Sequence, residues 1–344
     1  MKRFLSSLFI IFFYAVILTG CDSQKSVVLK NIPDAENSIF TKDGRLFVTG
    51  GQNTYEISKI NGSFLKQSLF EKPHNCLGLA ESGNYLYVLA TKVSISPTIP
   101  DFSSIYKFLT SISANIYDKR LYRAKIKDEN GKKIDILHFE TFVYLNDLFL
   151  PNGMDADSKG RLYISDETFL PTGKIVRIDP NSDNPVLETW LDSSNGVYAP
   201  NGIKIHKDTL FFSDFDARNI LNVKAAVKKV SIETKEVKTI FKRPGGLIYP
   251  FSLFDDLAVG MVNGYEVVAV CDFNKGSILF LPTSKNTSEP YYEYKKSTFA
   301  SPSSVNFGDG NVINKNHILV TEKGLLMIDQ WSDYGNKISE MDLN

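Results

Sequence analysis

Three features of the 344-residue sequence predict an all-β fold, a six-bladed β-propeller. A strand–turn–strand phrase recurs six times, each copy opens on an anchor residue that is usually polar, and most copies are one blade apart. The two clearest copies are Pro151-Asn152-Gly153-Met154 leading to Arg161-Leu162-Tyr163-Ile164-Ser165-Asp166, and Pro200-Asn201-Gly202-Ile203 leading to Thr209-Leu210-Phe211-Phe212-Ser213-Asp214. The other four open at Glu36, Asn75, Asp255 and Ser303. Most neighbouring anchors are about 40–50 residues apart, the length of one propeller blade. The interval from Asn75 to Asn152 is longer and carries an insertion.

Each element can be justified in chain order. Lys2 and Arg3 precede an apolar run from Phe4 to Leu18, too short to span a bilayer comfortably and shaped like an export signal. Leu18-Thr19-Gly20-Cys21 resembles the bacterial lipobox. That resemblance implies a signal peptide over 1–20, lipidation of Cys21, and a tether over 21–31. The protein would then be held by a lipid anchor at the bacterial cell envelope, facing the periplasm, and Asp22 favours the inner membrane. The propeller is expected over 32–344. Strand phrases follow each anchor: Leu46-Phe47-Val48, Leu86-Tyr87-Val88, Leu162-Tyr163-Ile164, Leu210-Phe211-Phe212, Val267-Val268-Ala269-Val270 and Ile318-Leu319-Val320. They are β-rich runs broken by turns such as Lys42-Asp43-Gly44 and Ser158-Lys159-Gly160. Closing the ring requires a strand from one terminus, and Ser26 to Lys30 is the candidate, paired with the chain after Leu325.

The second repeat holds an insertion over 92–120. Pro97 and Pro100 open it and Asp101 is placed to cap a helix. Phe102, Ile105, Tyr106, Leu109 and Ile112 recur at helical spacing. A helical insertion here would lie over the mouth of the ring, as a lid, an apolar substrate wall or a stabilising buttress. Cys76 and Cys271 fall in repeats on opposite sides of the ring, which predicts two buried free thiols even where disulfides are permitted.

Charge and motifs narrow the function. Lys plus Arg and Asp plus Glu both number 39, so no basic footprint for nucleic acid exists. There is no Gly-x-Ser-x-Gly and no His-Glu-x-x-His, which removes the usual serine-hydrolase and zinc-protease signatures. Five anchors bearing carboxylate or amide oxygens around one axis would suit calcium, a hard cation that takes six to eight oxygen ligands. Zinc would call for histidine or cysteine.

The motifs Pro151-Asn152-Gly153-Met154-Asp155-Ala156-Asp157, Ala199-Pro200-Asn201-Gly202-Ile203, Phe254-Asp255-Asp256-Leu257 and Ser303-Ser304-Val305-Asn306-Phe307-Gly308, in this order, resemble the six-bladed superfamily of gluconolactonases, regucalcin, paraoxonases and strictosidine synthase-like proteins. The resemblance spans most of residues 32–330. It implies a divalent cation, often calcium, at the bottom of a central cavity, with Glu36, Asn201 and Asp255 as ligands. Asn152 matches a further amide ligand, and Asp256, also a metal candidate, stands where paraoxonases have asparagine. Asn75 matches a position that contacts substrate or metal-bound water, and His74, which adjoins it, is a second candidate for substrate contact. Asp255 matches the general base. The implied activity is metal-dependent hydrolysis of a small-molecule lactone or ester, the cation polarising the carbonyl for attack by water. The apolar insertion points to an apolar substrate rather than a sugar acid. The alternative is a propeller that binds a ligand or protein without turning it over.

Overall fold

The computed structural model describes residues 25–343 except 71, 94–115, 169–170, 220, 247–249, 285–286, 288, 291, 294–298 and 325–333. Six four-stranded antiparallel sheets surround one axis. Blade one is β2 (Ala35–Phe40), β3 (Leu46–Gly50), β4 (Asn53–Ile60) and β5 (Ser63–Ser68). Blade two is β6 (Asn75–Ser82), β7 (Tyr85–Val93), β8 (Ile116–Lys125) and β9 (Glu140–Tyr144). Blade three is β10 (Pro151–Ala156), β11 (Leu162–Asp166), β12 (Lys174–Ile178) and β13 (Glu188–Leu191). Blade four is β14 (Pro200–His206), β15 (Thr209–Asp216), β16 (Lys224–Ser231) and β17 (Val237–Pro244). Blade five is β18 (Phe254–Val262), β19 (Tyr265–Asp272), β20 (Ser277–Pro282) and β21 (Tyr292–Glu293). Blade six is β22 (Pro302–Phe307), β23 (His317–Glu322) and β24 (Lys337–Asp342), completed by β1 (Lys25–Lys30) from the other end of the chain.

The expected closing strand is therefore real, and it moves the start of the propeller. Lys25 pairs with Met341 and Lys30 with Lys337, so strand begins inside the stretch read as a tether over 21–31, and the boundary at 32 becomes 25. The insertion also narrows, because β7 runs to Val93 and β8 starts at Ile116. The helix expected from Asp101 to Ile112 lies outside the described residues. Among the described residues the only helix is a single 3-10 turn, Ser193–Asn195, so a helical insertion gains no support.

The core is divided among the blade interfaces. Each apolar cluster draws on two adjacent sheets: Ile39 and Phe47 of blade one meet Leu79, Val88 and Tyr122 of blade two, and Tyr163 and Trp190 of blade three meet Ile203 and Phe212 of blade four. Alternating strands offer apolar side chains on both faces, and the ring supplies a neighbour for each. A fully buried side chain such as Phe47 or Phe212 contributes about 1.5–3 kcal/mol. Cys76 and Cys271 are both free and buried, as expected. Burial pushes the Cys76 thiol up to about 12, which leaves it protonated and inert.

Polar residues at the inner ends of the blades lock the ring. Each first strand bulges where it begins, between Pro151 and Met154 or Pro200 and Ile203, for example. A hydroxyl near the end of the second strand stitches that bulge to the next blade. Thr49 donates to the Leu77 carbonyl at 2.7 Å, Ser165 to the Asn201 carbonyl, and Thr321 to the Glu36 carbonyl at 3.1 Å. In blades three to six a carboxylate at or near the end of the second strand caps the chain leading into its own blade. Asp166 accepts from the Phe149 and Leu150 amides at 2.6 and 2.9 Å, and Asp214 from those of Tyr198 and Ala199 at 3.1 and 2.8 Å. Asp272 accepts from the Ser252 hydroxyl at 2.6 Å, and Glu322 from the Ala300 amide at 2.7 Å.

Candidate functional site

The bulges present the anchors to the axis. In the Asn-Gly pairs, glycine is required because inner strands approach each other too closely for a side chain. A Cβ on Gly153 would lie 2.3 Å from the Asn201 carbonyl oxygen, and one on Gly78 would lie 2.3 Å from that of Asn152. This equivalence corrects the second repeat. Gly78 is the counterpart of Gly153, and the carbonyl stitched by Thr49 belongs to Leu77. The anchor of blade two is therefore Leu77, which is half-buried, while Asn75 lies two residues earlier. Asn75 lines a surface cavity of about 600 Å³ between blades one and two, with Pro33, Gly51, Tyr55 and Phe70.

Three expected residues and two that the sequence reading missed are linked directly. Glu36 forms an ion pair with Lys323, its side chain 8% exposed and that of Lys323 13%. The Asn152 and Asn201 amides both donate to Glu167, at 2.9 and 3.3 Å. Asp255 is buried and feels the charges of Glu36, Lys323, Glu167 and Asp256. Burial pushes the Glu167 carboxyl up to about 7, with repulsion from Glu36 adding to the rise and the two asparagine amides opposing it. Burial first, and then repulsion from Glu36, hold Asp255 well above the carboxylate range. Lys323 stays charged: desolvation lowers its pKa, but attraction to Glu36 and Asp255 outweighs that.

Asp256 belongs to a second tier. Its carboxylate accepts from the Asn37 amide at 2.9 Å and the Ser304 hydroxyl at 3.0 Å. These residues hold the second bulge position in blades five, one and six, where blades two, three and four have glycine. Asp256 thus latches three blades together, and burial raises it to about 6.

His74 is placed in packing rather than beside Glu36. It is 3% exposed, its Nε2 lies 3.1 Å from Asp118 and its Nδ1 3.3 Å from the Tyr122 hydroxyl, and its ring packs edge-on against Tyr122. Burial lowers its pKa and favours the neutral ring. Asp118, which also pairs with Lys92 and Arg120, supplies the histidine partner that the sequence reading did not find.

The position one past each carboxylate cap forms a ring of its own. Glu167, Phe215, Phe273 and Lys323 each donate a backbone N–H to the chain that precedes their blade. Two charged and two aromatic residues thus occupy equivalent places around the mouth.

The donor types fit a hard cation: carboxylates and amide oxygens; the buried Cys271 thiol lies within reach of the Asp255 charge, but burial holds it well above its ordinary value, so it is not a thiolate. Each Asn Nδ2 is committed to Glu167, which leaves Oδ1 as the atom available to a cation. Among the described residues, no three His, Cys, Asp or Glu side chains already converge as a coordination shell.

This architecture defines the class. Its structural neighbours are six-bladed propeller proteins of the gluconolactonase/regucalcin and aldose sugar dehydrogenase type. The PQQ-bound aldose sugar dehydrogenase of Streptomyces coelicolor is similar at a TM-score of 0.60 and 14% identity, over 92% of this chain and 97% of that one. A luciferin-regenerating enzyme is similar at 0.58 and 13%, over 93% and 94%. The calcium-binding regucalcin of Agrobacterium tumefaciens is similar at 0.56 and 12%, over 93% of each chain. At these identities the likeness establishes the fold. No protein-family model and no curated protein matches the sequence.

Proposed function

We propose that the mouth of the propeller is a hydrolase site of the lactonase or ester type, acting on a small molecule with a divalent cation, calcium by its donor chemistry. Glu36, Asn152, Asn201 and Asp255 would hold the cation. The observation that carries this reading is the shortage of counter-charge: among the described residues, Glu36, Glu167 and Asp255 share Lys323 as counter-ion, and burial with mutual repulsion raises the last two carboxyls. A cation would take the place of their protons: with all three ionised, the four groups would hold two excess negative charges, which one divalent cation would offset. The cation would supply polarisation of the substrate carbonyl. Asp255, ionised once the cation displaces its proton, would take the proton from the attacking water. Glu167 is a positioning residue that fixes both asparagine amides by their nitrogens. Asp256 stays with the latch and Asn75 with the side cavity, where it can meet a substrate that reaches over blade one; His74 supports that edge.

Leu77, Phe215 and Phe273 at mouth positions support an apolar substrate. The regucalcin and luciferin-regenerating neighbours are consistent with a hydrolase-type propeller. A lipid on Cys21 would hold the protein at the cell envelope. The test is a panel of aliphatic lactones, gluconolactone and aryl esters, run with calcium and with chelator. Glu36→Gln and Asp255→Asn should each lower turnover by at least about 100-fold. Cation binding with no turnover on any member would assign the site to binding instead.

A further inference from the structure

The ion pair between Lys323 and Glu36 sets a condition on the proposed site. Among the described residues, Glu36 is the expected ligand whose carboxylate forms a direct ion pair, in a setting where both side chains are largely shielded from water. The ammonium holds Oε2, so a divalent cation that used this carboxylate through either oxygen would stand within a few ångströms of it. Two positive charges a few ångströms apart repel strongly away from bulk water.

The chain beneath Lys323 is fixed. Glu322 is fully buried, with its carboxylate bonded to the Ala300 amide, Lys25 and Ser339. The Lys323 amide donates to the Ser301 carbonyl at 3.1 Å and the Gly324 amide to the Ala300 carbonyl at 2.9 Å. Gly324 itself sits against Gly335, where a Cβ would meet backbone at 2.8 Å. The backbone is therefore pinned on both sides. What can move is the four-carbon stem, which carries a compact charge on rotatable bonds.

We propose that Lys323 is a tethered cation that competes with a divalent cation for Glu36, and that binding proceeds by exchange, the metal taking the carboxylate as the ammonium swings away. This rests on the metal reading of the site and adds to it a built-in competitor. Exchange lowers the apparent affinity, because each binding event also breaks the internal pair. It also frees an ammonium at the mouth in step with cation entry. The similar pair of Lys228 with Asp214 shows the contrast: that lysine also donates to the Gly196 carbonyl at 2.6 Å, and its carboxylate is engaged by two backbone amides.

Calcium titration by calorimetry of wild type, Lys323→Met, Lys323→Gln and Glu36→Gln tests the exchange, with thermal unfolding run on each with and without calcium. The expected result is one site in wild type, tightened at least tenfold in both Lys323 variants and lost in Glu36→Gln. Calcium should also raise the unfolding temperature of the Lys323 variants more than that of wild type, which keeps the test readable if loss of the lysine weakens the apo fold. Equal or weaker affinity in both Lys323 variants, with binding still lost in Glu36→Gln, overturns the exchange and leaves the metal site standing. No calcium bound by any of the four, with turnover intact in chelator, overturns the metal reading together with the exchange.

Discussion

Two sets of buried carboxylates stand at the inner ends of the blades, and they are provisioned very differently. Asp166, Asp214, Asp272 and Glu322 cap the lead-in chains, and each has its own cation: Lys174 at 3.9 Å, Lys228, Arg243 at 3.5 Å and Lys25 at 3.0 Å respectively. Each also accepts at least one backbone amide. Among the described residues, Glu36, Glu167 and Asp255 share a single lysine and are crowded against one another. Buried carboxyls that each have a cation and a backbone donor hold a ring together. Buried carboxyls left short of partners take up protons or a cation from outside, and that difference separates scaffold from site.

Breaking a matched carboxylate should have the largest effect on stability. Asp214→Ala strands the Lys228 ammonium, 7% exposed, and two backbone amides. It should cost about 3–5 kcal/mol in urea unfolding. Asp255→Asn at the hub should do the reverse for the metal-free protein, raising its midpoint while removing turnover; a fall as large as that of Asp214→Ala would erase the distinction between the two sets.

The next effect is a pH dependence. Burial raises Asp272 to about 6 against an ordinary 3.8. A raised carboxyl contributes stability that is fully present below pH 3.8 and is lost as pH rises through 6. Between those limits wild type should lose about 3 kcal/mol relative to Asp272→Asn. Unfolding both at pH 4 and pH 7.5 measures the difference, and parallel profiles would remove the shift. Close packing comes third. Gly153→Ala forces a Cβ onto the Asn201 carbonyl and should cost about 1–3 kcal/mol with reduced cation binding. Ser165→Ala removes one stitch between blades three and four, and about 1 kcal/mol in the same assay.

The sequence showed half of the matched set, Asp166 and Asp214, as strand ends in the two clearest repeats, and hid part of the other, for a physical reason. Stitches and caps do the same task in several blades, so Ser165-Asp166 and Ser213-Asp214 repeat. The hub needs different residues from each blade, so sameness is the wrong signal there. Glu167 and Lys323 sit one residue past the caps, where Phe215 and Phe273 stand in blades four and five. Counting one position beyond each polar strand end would have found them. The same bias chose Asn75 over Leu77, because a polar residue was sought. The glycine rule, with Gly78 in the place of Gly153, points to the right residue. His74 reads as adjoining the second anchor, but its partner Asp118 comes from β8, across the insertion, and no local pattern links them. Glu36 and Asp255 are singled out because oxygen donors recur at the blade period.

The manner of ring closure has a consequence for orientation. Lys30 ends beside Lys337, which lies opposite Glu322 at the mouth, whereas Lys25 lies opposite Met341 near the other end of the sheet. The chain therefore enters the ring from the side away from the mouth. A lipid on Cys21 would have four residues of reach to Lys25, about 14 Å at full extension. The bilayer would then bear on the far-side turns, and the opening would look into the aqueous space. Lipidated protein on vesicles should accordingly turn over a soluble ester at the rate of protein starting at residue 22; a large drop on vesicles would point the mouth at the membrane instead.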